Sequence, residues 1–312
     1  MYLKAVAFVL IGMFCISVND VIMKSLSHTY ALHQLVFIRA VVSLVIIIPS
    51  ILIWQDIKLL QTTKPGMHAL RGSLIVLANL LFFAGLASLP LAEASAVVFI
   101  SPVLVTIFSH YFLKERIGIW RWTAVIIGLT GMILVVQPFG ATLETAYLWP
   151  LGAAFCYAAF TITTRFLGKT DSVASLAVYS TAAFLVASVL MGLALGDGSF
   201  SDTGNPNLEF LLRGWRWPEE MDWMPFIAIG GLSAIIALTM AAAYRLGEAS
   251  FLAPFEYVNL PLVLLWGFLA FGDFPNALGL VGMVLIIAGG LLMVFRERAR
   301  ARIQASQVPV EH

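Results

Sequence analysis

Ten apolar runs separated by short polar segments dominate the chain. Each run is close to the ~20 residues that an α-helix needs to cross a hydrocarbon core of roughly 30 Å. None shows the alternation of a membrane barrel, and backbone groups in lipid must pair within their own segment, so the runs predict helices. The predicted fold is an all-α integral membrane protein with ten transmembrane helices. The runs lie at about 4–24, 34–54, 70–88, 92–112, 120–137, 147–165, 174–195, 223–244, 249–271 and 277–295.

Composition supports a membrane class over a soluble one. Hydrophobic residues make up 61% of the 312 residues and charged residues 11%, too few to give every helix a water-facing side. The net charge of +1, with no basic face, argues against a nucleic-acid partner. Cys15 and Cys156 lie inside apolar runs, so no disulfide framework is expected. The first apolar run is too long for the core of a cleavable signal peptide.

The distribution of Lys and Arg predicts the orientation. With the N-terminus inside, 14 of the 18 basic residues fall on inner segments, as the positive-inside rule requires. An even number of spans then places both termini in the cytoplasm. The predicted location is the bacterial-type inner membrane. The four basic residues on the outer side are Lys24, Arg39, Arg213 and Arg216.

The chain repeats itself. Two segments share the pattern L-x-E-A-S, with Glu93 over Glu248 and Ser95 over Ser250. We therefore expect a first repeat at 1–140, a second at 141–296, and a basic cytoplasmic tail at 297–312. Three pairs of segments align, with three residues added in the second copy: 14–24 with 155–165, 89–104 with 244–260, and 113–136 with 271–294.

Five spans in each repeat have a geometric consequence. If the first repeat starts inside, the second starts outside, so a two-fold axis in the membrane plane relates them. Inverted repeats of this kind are typical of alternating-access carriers. The long outer connection at 196–222 is acidic, with a Trp-rich portion. It is interpreted as a tether with an interfacial anchor, and a substrate lid is the alternative.

The repeated patterns resemble those of a known transporter superfamily. Ten short spans in two inverted halves, each ending in the pattern E-A-S…P…(K)ER/GD…G-x-x-L-I-x-x-G, resemble the drug/metabolite transporter superfamily, EamA type. The match covers about residues 3–295. Riboflavin importers and several amphiphile exporters look similar at the same places. The segments that resemble the branch of S-adenosylmethionine uptake transporters are 19-NDVIMKSL-26, 37-FIRA-40, 69-ALRG-72, 121-RW-122, 254-PFEY-257 and 272-GDFP-275.

Polar residues inside the spans are the candidates for function, because an ionisable group in a bilayer costs about 2.5–3.5 kcal/mol on insertion scales. Asp20 and Lys24 are four residues apart on one helix face, so their side chains can pair. Both are expected near Arg39, at the start of the second span. That group is either a structural network at the outer rim or part of a binding site. The resemblance implies that the first span lines a central cavity, which favours a binding role for Asn19 and Asp20.

The ninth span holds the most informative cluster. Pro254 and Pro261 each remove a backbone hydrogen bond, and Glu256 lies between them. Glu256 is predicted to carry a proton or to meet a cationic substrate group, unless it pairs with Arg71 or Arg165. A corresponding kink is expected in the fourth span at Ser101–Pro102, and paired broken helices indicate a site near the bilayer midplane. The remaining predicted binding residues are Asn79, Tyr157, Thr161, Tyr257 and Asn259.

The predicted function is a secondary transporter of a small amphiphilic metabolite, S-adenosylmethionine-like, an amino acid or a related compound. A riboflavin-like or drug-like amphiphile is the alternative. A membrane enzyme is disfavoured because no H-E-x-x-H, G-x-S-x-G or nucleotide-binding loop occurs. A channel is disfavoured because no filter repeat is visible. We expect no cofactor and no metal. The expected partners are a small-molecule substrate and the lipid bilayer, with coupling protons and a homodimer left open.

Overall fold

A computed structural model of the chain describes residues 2–54, 57–114, 118–136, 145–201, 204–274 and 276–306. Within these ranges the secondary structure is helical and contains no β-strand. Part of the basic tail and the segment around Glu115 lie outside them. The α-helices are α1 (Tyr2–Leu26), α2 (Leu32–Trp54), α3 (Pro65–Leu86), α4 (Leu91–Val98), α5 (Ser101–Leu113), α6 (Ile119–Val136), α7 (Leu148–Leu167), α8 (Val173–Leu195), α9 (Pro206–Leu212), α10 (Trp223–Leu246), α11 (Ala249–Leu252), α12 (Asn259–Phe271) and α13 (Ala277–Ser306).

Among the described residues, seven helical segments are long and apolar enough to cross a membrane. Two shorter apolar helices, Asn259–Phe271 and Ala277–Gly289, follow them. Helical structure also lies at the remaining predicted spans, in α6, in α11 with α12, and in α13. The prediction of an all-α membrane protein is confirmed, while the count of ten spans stays a prediction. The seven segments are Leu3–Leu26, Leu32–Ile53, Pro65–Leu86, Leu91–Leu113, Thr145–Leu167, Val173–Leu195 and Glu220–Leu246.

Two of the predicted spans are broken helices. In the fourth, α4 ends at Val98 and α5 begins at Ser101. In the ninth, a 3₁₀ segment, Ala253–Val258, separates α11 from α12. Pro254 lies in that segment. Pro102 and Pro261 lie in the first turn of the following helix, where a proline sacrifices no helical hydrogen bond, so each break precedes its proline.

Helix packing has the symmetry that two repeats would produce. Most of the larger helix contacts map onto one another when α1 is exchanged with α7, α2 with α8, α3 with α10, the α4–α5 pair with the α11–α12 pair, and α6 with α13. The contact between α8 and α10 is an exception. The α1–α10 contact becomes α7–α3, α3–α8 becomes α10–α2, and α5–α7 becomes α12–α1. The α2–α8 and α6–α13 contacts map onto themselves. Elements of both predicted repeats therefore interlock around one centre.

The predicted outer connection is docked on the turn between α1 and α2. Arg213 Nη1 donates to the carbonyl of Ser27 at 2.8 Å, and the backbone N–H of Arg216 donates to Gln34 Oε1 at 3.1 Å. The Trp215 ring meets the His33 ring edge to face, with the ring centroids 6.0 Å apart, and lies tilted against the Phe37 ring. This part of the connection is therefore a folded cap over the ends of two helices. Trp217 and Met221 are 86% and 89% exposed, which fits the predicted interfacial anchor.

Candidate substrate cavity

A central cavity of about 250 Å³ lies among helices of both predicted repeats. Side chains from α1, α2, α3, α4, α5, α7, α8, α10 and α12 and from the 3₁₀ segment line it. Most of the surface of this wall is apolar, as is typical of small-molecule sites, although about half of the lining residues are polar or charged.

Most of the residues predicted from the sequence meet in this cavity. Thr161 is fully buried one turn from Tyr157, but it does not line the cavity. The side chain of Tyr257 lies outside the described residues, as does that of Pro254. The predicted binding residues that line the cavity are Asn19, Asp20, Arg39, Ser101, Asn79, Tyr157, Glu256 and Asn259.

Asp20 and Arg39 place opposite charges in the cavity wall. Asp20 is 7% exposed and Arg39 is 6% exposed. Arg39 Nη2 donates to Asn79 Oδ1 at 3.0 Å, and its guanidinium lies 4.8 Å from the centroid of the Phe184 ring. Within the described chain Asp20 has no hydrogen bond and no ion pair closer than 4 Å.

Asn19 has a structural contact beside its place in the cavity wall. Its side-chain Nδ2 donates to the carbonyl of Ile229 at 3.2 Å and lies 3.4 Å from Ser233 Oγ. Both partners belong to α10, so Asn19 fastens α1 to α10. An interhelical hydrogen bond of this kind contributes on the order of 1 kcal/mol in a membrane.

Glu256 is held by two tyrosine hydroxyls. Tyr157 on α7 donates to Glu256 Oε1 at 3.2 Å, and Tyr244 on α10 donates to the same oxygen. The carboxyl is 3% exposed and forms no ion pair with Arg71 or Arg165. The alternative of a salt bridge to either arginine is therefore wrong. Tyr244 was not among the predicted residues, although it lies two residues before the repeated L-x-E-A-S pattern.

Arg71 is a second cavity residue missing from the predicted site. Nε donates to Thr164 Oγ1 at 2.7 Å, and Nη1 donates to Ser180 Oγ at 2.6 Å and to the carbonyl of Leu176 at 2.8 Å. Its guanidinium also lies 4.5 Å from the centroid of the Phe160 ring. These bonds tie α3 to α7 and α8. A basic residue inside an apolar run is the sequence signal that could have identified it.

Some polar atoms in the cavity wall have no partner within the described residues. They are Ser43 Oγ, Ser95 Oγ and Asn259 Oδ1. A buried polar atom without a partner costs about 1–3 kcal/mol. Ser101 and Asn259 are the first residues of α5 and α12, so the wall also includes the starts of both half-helices. These groups can accept or donate hydrogen bonds to a polar ligand.

The predicted pairing of Lys24 with Asp20 is wrong. Lys24 Nζ lies 3.5 Å from Asp273 Oδ2 and 3.3 Å from the carbonyl oxygen of Leu89. It also lies 4.8 Å from the centroid of the Phe271 ring. Asp273 follows α12, so this ion pair joins the two predicted repeats. Lys24 does not line the cavity.

Comparison with known proteins identifies the family. The EamA-like transporter family model matches residues 3–137. A riboflavin transporter of Rhizobium johnstonii is 30% identical over 243 residues, covering 78% of this chain and 74% of the relative. A riboflavin transporter of Vibrio cholerae is 28% identical, covering 85% and 83%. An S-adenosylmethionine uptake transporter of Rickettsia conorii is 24% identical, covering 95% and 94%.

A solved structure shares the fold. It is described as the crystal structure of a protein and superposes with a TM-score of 0.69 at 19% identity, covering 94% of this chain and 98% of that one. The family resemblance predicted from the sequence patterns is confirmed by the family model and by these relatives. Because seven segments of the described chain are long and apolar enough to cross a bilayer, the protein is a multi-pass membrane protein. The chain belongs to the EamA-like transporter family.

Proposed function

We propose that this protein is a secondary transporter that moves a small amphiphilic metabolite across the bacterial inner membrane by alternating access. The central cavity carries this proposal, because elements of both predicted repeats enclose it and two broken helices begin at its wall. Rocking of the repeats about this cavity would expose it to each side in turn.

An S-adenosylmethionine-like zwitterion is the first substrate candidate. Relatives that cover nearly the whole chain are named S-adenosylmethionine uptake transporters. The cavity wall offers a carboxylate at Asp20, a guanidinium at Arg39, and the aromatic rings of Phe82 and Phe99. These groups are the types that meet an ammonium, a carboxylate and a purine.

Riboflavin is the second candidate. Two relatives named riboflavin transporters are 28% and 30% identical to this chain. The largely apolar and aromatic wall suits a flavin ring as well as a purine. The charges at Asp20 and Arg39 separate the candidates, because riboflavin has no charged group to match them.

Orientation and coupling belong to the same proposal. The basic residues favour cytoplasmic termini, and reporter fusions at both ends test this, since reporters on opposite sides would contradict it.

Glu256 is proposed as the group that exchanges a coupling proton with the cavity. Its Oε2 has no partner within the described residues, whereas Oε1 accepts from both tyrosines. A homodimer stays a prediction.

Counterflow in proteoliposomes tests the transport function. Liposomes loaded with unlabelled S-adenosylmethionine or riboflavin are diluted into a trace of the labelled compound. A carrier concentrates label transiently only when the matching unlabelled compound is inside. Trans-stimulation by one compound assigns the substrate. A channel is indicated if the label enters at the same rate whichever compound is inside. If the label enters no faster than in protein-free liposomes, neither S-adenosylmethionine nor riboflavin is the substrate.

A further inference from the structure

Asp20 presents a carboxylate to the cavity that no described side chain neutralises by contact. It is 7% exposed, and within the described chain it has neither a hydrogen bond nor an ion pair within 4 Å. Burying a carboxylate in this way is costly without a partner. An occupant of the cavity that carries a cation and a hydrogen-bond donor would supply that partner.

The other acidic group in the cavity differs in this respect. Glu256 accepts hydrogen bonds from Tyr157 and Tyr244, so the protein itself satisfies one of its oxygens twice. Among the described residues, no corresponding donor contacts Asp20. Of these two acids, Asp20 is therefore the one that a cationic ligand group would provide with a missing partner.

The two arginines differ in the same way. Arg71 has Nε and Nη1 occupied by Thr164, Ser180 and the carbonyl of Leu176. Within the described part of the chain, Arg39 makes a single hydrogen bond, to Asn79, and its guanidinium lies over the Phe184 ring. Most of the N–H donors of the Arg39 guanidinium are thus free to bind an anion in a bidentate way.

We propose that Asp20 and Arg39 together bind the α-amino-acid headgroup of the substrate, with the ammonium on Asp20 and the carboxylate on Arg39. This inference rests on the proposed function, because it takes the central cavity as the transport site. The two side chains come from α1 and α2 and line the same cavity, and no ion pair within 4 Å joins them. A headgroup that carries both its charges on one carbon atom can match the two side chains at once.

The aromatic part of the substrate then packs on the neighbouring rings. Phe82 of α3 and Phe99, between α4 and α5, line the same cavity as the two charges. Rings of this kind stack on a heteroaromatic base. The headgroup site therefore selects zwitterions, and the apolar wall accepts the remainder of the molecule.

Direct binding to purified protein tests the headgroup site. Isothermal titration compares S-adenosylmethionine with its decarboxylated analogue and with a deaminated analogue. On the wild-type protein each truncated ligand should bind about 10- to 100-fold more weakly, the value of one charge-assisted hydrogen-bonding contact. The Arg39→Gln variant should bind S-adenosylmethionine and its decarboxylated analogue with nearly equal affinity, so that the penalty for removing the carboxylate is lost. In Asp20→Asn the penalty for removing the ammonium should likewise be lost.

A matched control and the wild-type arm keep the test decisive. Lys24→Gln removes a charge one turn along the same helix but outside the cavity wall, so both penalties should persist. Penalties that are unchanged in Asp20→Asn and Arg39→Gln overturn the headgroup site while transport stands. If a variant does not fold, the wild-type measurements still decide the question. Equal affinities of the wild-type protein for the intact and the truncated ligands would by themselves overturn the headgroup site. Binding of riboflavin but no zwitterion overturns both the site and the S-adenosylmethionine candidate.

Discussion

Lys24 and Asp273 form an ion pair across the two predicted repeats, with Nζ 3.5 Å from Oδ2. Lys24 also donates to the carbonyl of Leu89 at 3.3 Å, and Arg165 donates to the carbonyl of Tyr244 at 3.4 Å. The sequence alignment of the repeats sets Lys24 over Arg165 and Leu89 over Tyr244. Two basic side chains therefore make the same contact at opposite ends of the proposed inverted halves. Such a pair of contacts is what an inverted duplication produces.

Removing the Lys24–Asp273 pair should favour opening at the predicted outer end. The Asp273 side chain is 36% exposed, so the pair contributes at most about 1 kcal/mol, a shift of roughly fivefold in conformational populations. Asp273→Asn should therefore speed labelling of a cysteine placed at Ser95 by a membrane-impermeant maleimide, in a background without Cys15 and Cys156. Exchanging the two charges, Lys24→Asp with Asp273→Lys, should restore slow labelling. Equal labelling rates in all three proteins would reject the pair as a closure contact.

Glu256→Gln should separate proton coupling from substrate movement. The amide keeps the shape of the carboxyl but cannot release a proton, so accumulation driven by a pH gradient should be lost while counterflow continues. Tyr157→Phe is the control, because it removes one donor to Oε1 and leaves the acid in place. That variant should keep gradient-driven accumulation. Full accumulation by Glu256→Gln would exclude this residue as the coupling group.

Asp171 should stabilise the protein in a pH-dependent way. Burial acts to raise its pKa, but hydrogen bonds from Thr170, Thr62 and His68 outweigh burial and hold the pKa below its ordinary value. A depressed carboxyl pKa means that the stabilisation is complete above the unfolded-state pKa and is lost as the pH falls through the folded-state pKa. Asp171→Asn should therefore cost about 1–3 kcal/mol at neutral pH and less in acid.

Thermal unfolding in detergent at several pH values measures this effect. The melting temperatures of the wild-type protein and Asp171→Asn should converge as the pH falls. Asp197→Asn, which changes an exposed acid beside Ser199, should differ little from the wild type at any pH. A gap between the wild type and Asp171→Asn that stays constant from neutral to acidic pH would contradict the assigned role of this carboxylate.

The sequence predicted the helices and much of the cavity because a polar residue inside an apolar run must face protein or water. Asp20, Arg39 and Glu256 were found in this way, and all three line the cavity. The partners were less predictable. Helical spacing favours Asp20 as the partner of Lys24, but the protein brings in Asp273 from the far repeat. Spacing within one helix contains no information about a carboxylate that arrives from another helix.

Tyr244 shows the same limit for a single side chain. Nothing in its local pattern distinguishes a tyrosine at a helix end that faces the bilayer surface from one that turns inward. Its hydroxyl reaches Glu256 because a 3₁₀ segment carries the carboxyl against α10. The break in the ninth span was predictable from its prolines. The route of the chain through the break was not, because it depends on packing against α1 and α13.

Gly131 should be essential for the close packing of α6 on α13. A Cβ at this position would lie 2.5 Å from the carbonyl oxygen of Gly282 and 2.8 Å from Cγ1 of Ile286. A backbone carbonyl cannot move aside cheaply, so Gly131→Ala should cost about 1–3 kcal/mol by overpacking, despite the higher helix propensity of alanine. No described side chain of α6 or α13 lines the cavity, so the substrate affinity of the folded protein should not change.

Gly231→Ala is the matched control for this contact. It also lies in a helix, but a Cβ there would meet nothing nearer than Cδ1 of Ile46, at 4.0 Å. That variant should melt at or above the wild-type temperature, since alanine is favoured over glycine within a helix by about 1 kcal/mol. Thermal unfolding and equilibrium substrate binding on the same preparations measure both quantities. Equal melting temperatures for the two variants would show that α6 and α13 can separate without cost. A lower substrate affinity in Gly131→Ala would show that this helix pair shapes the cavity as well as supporting it.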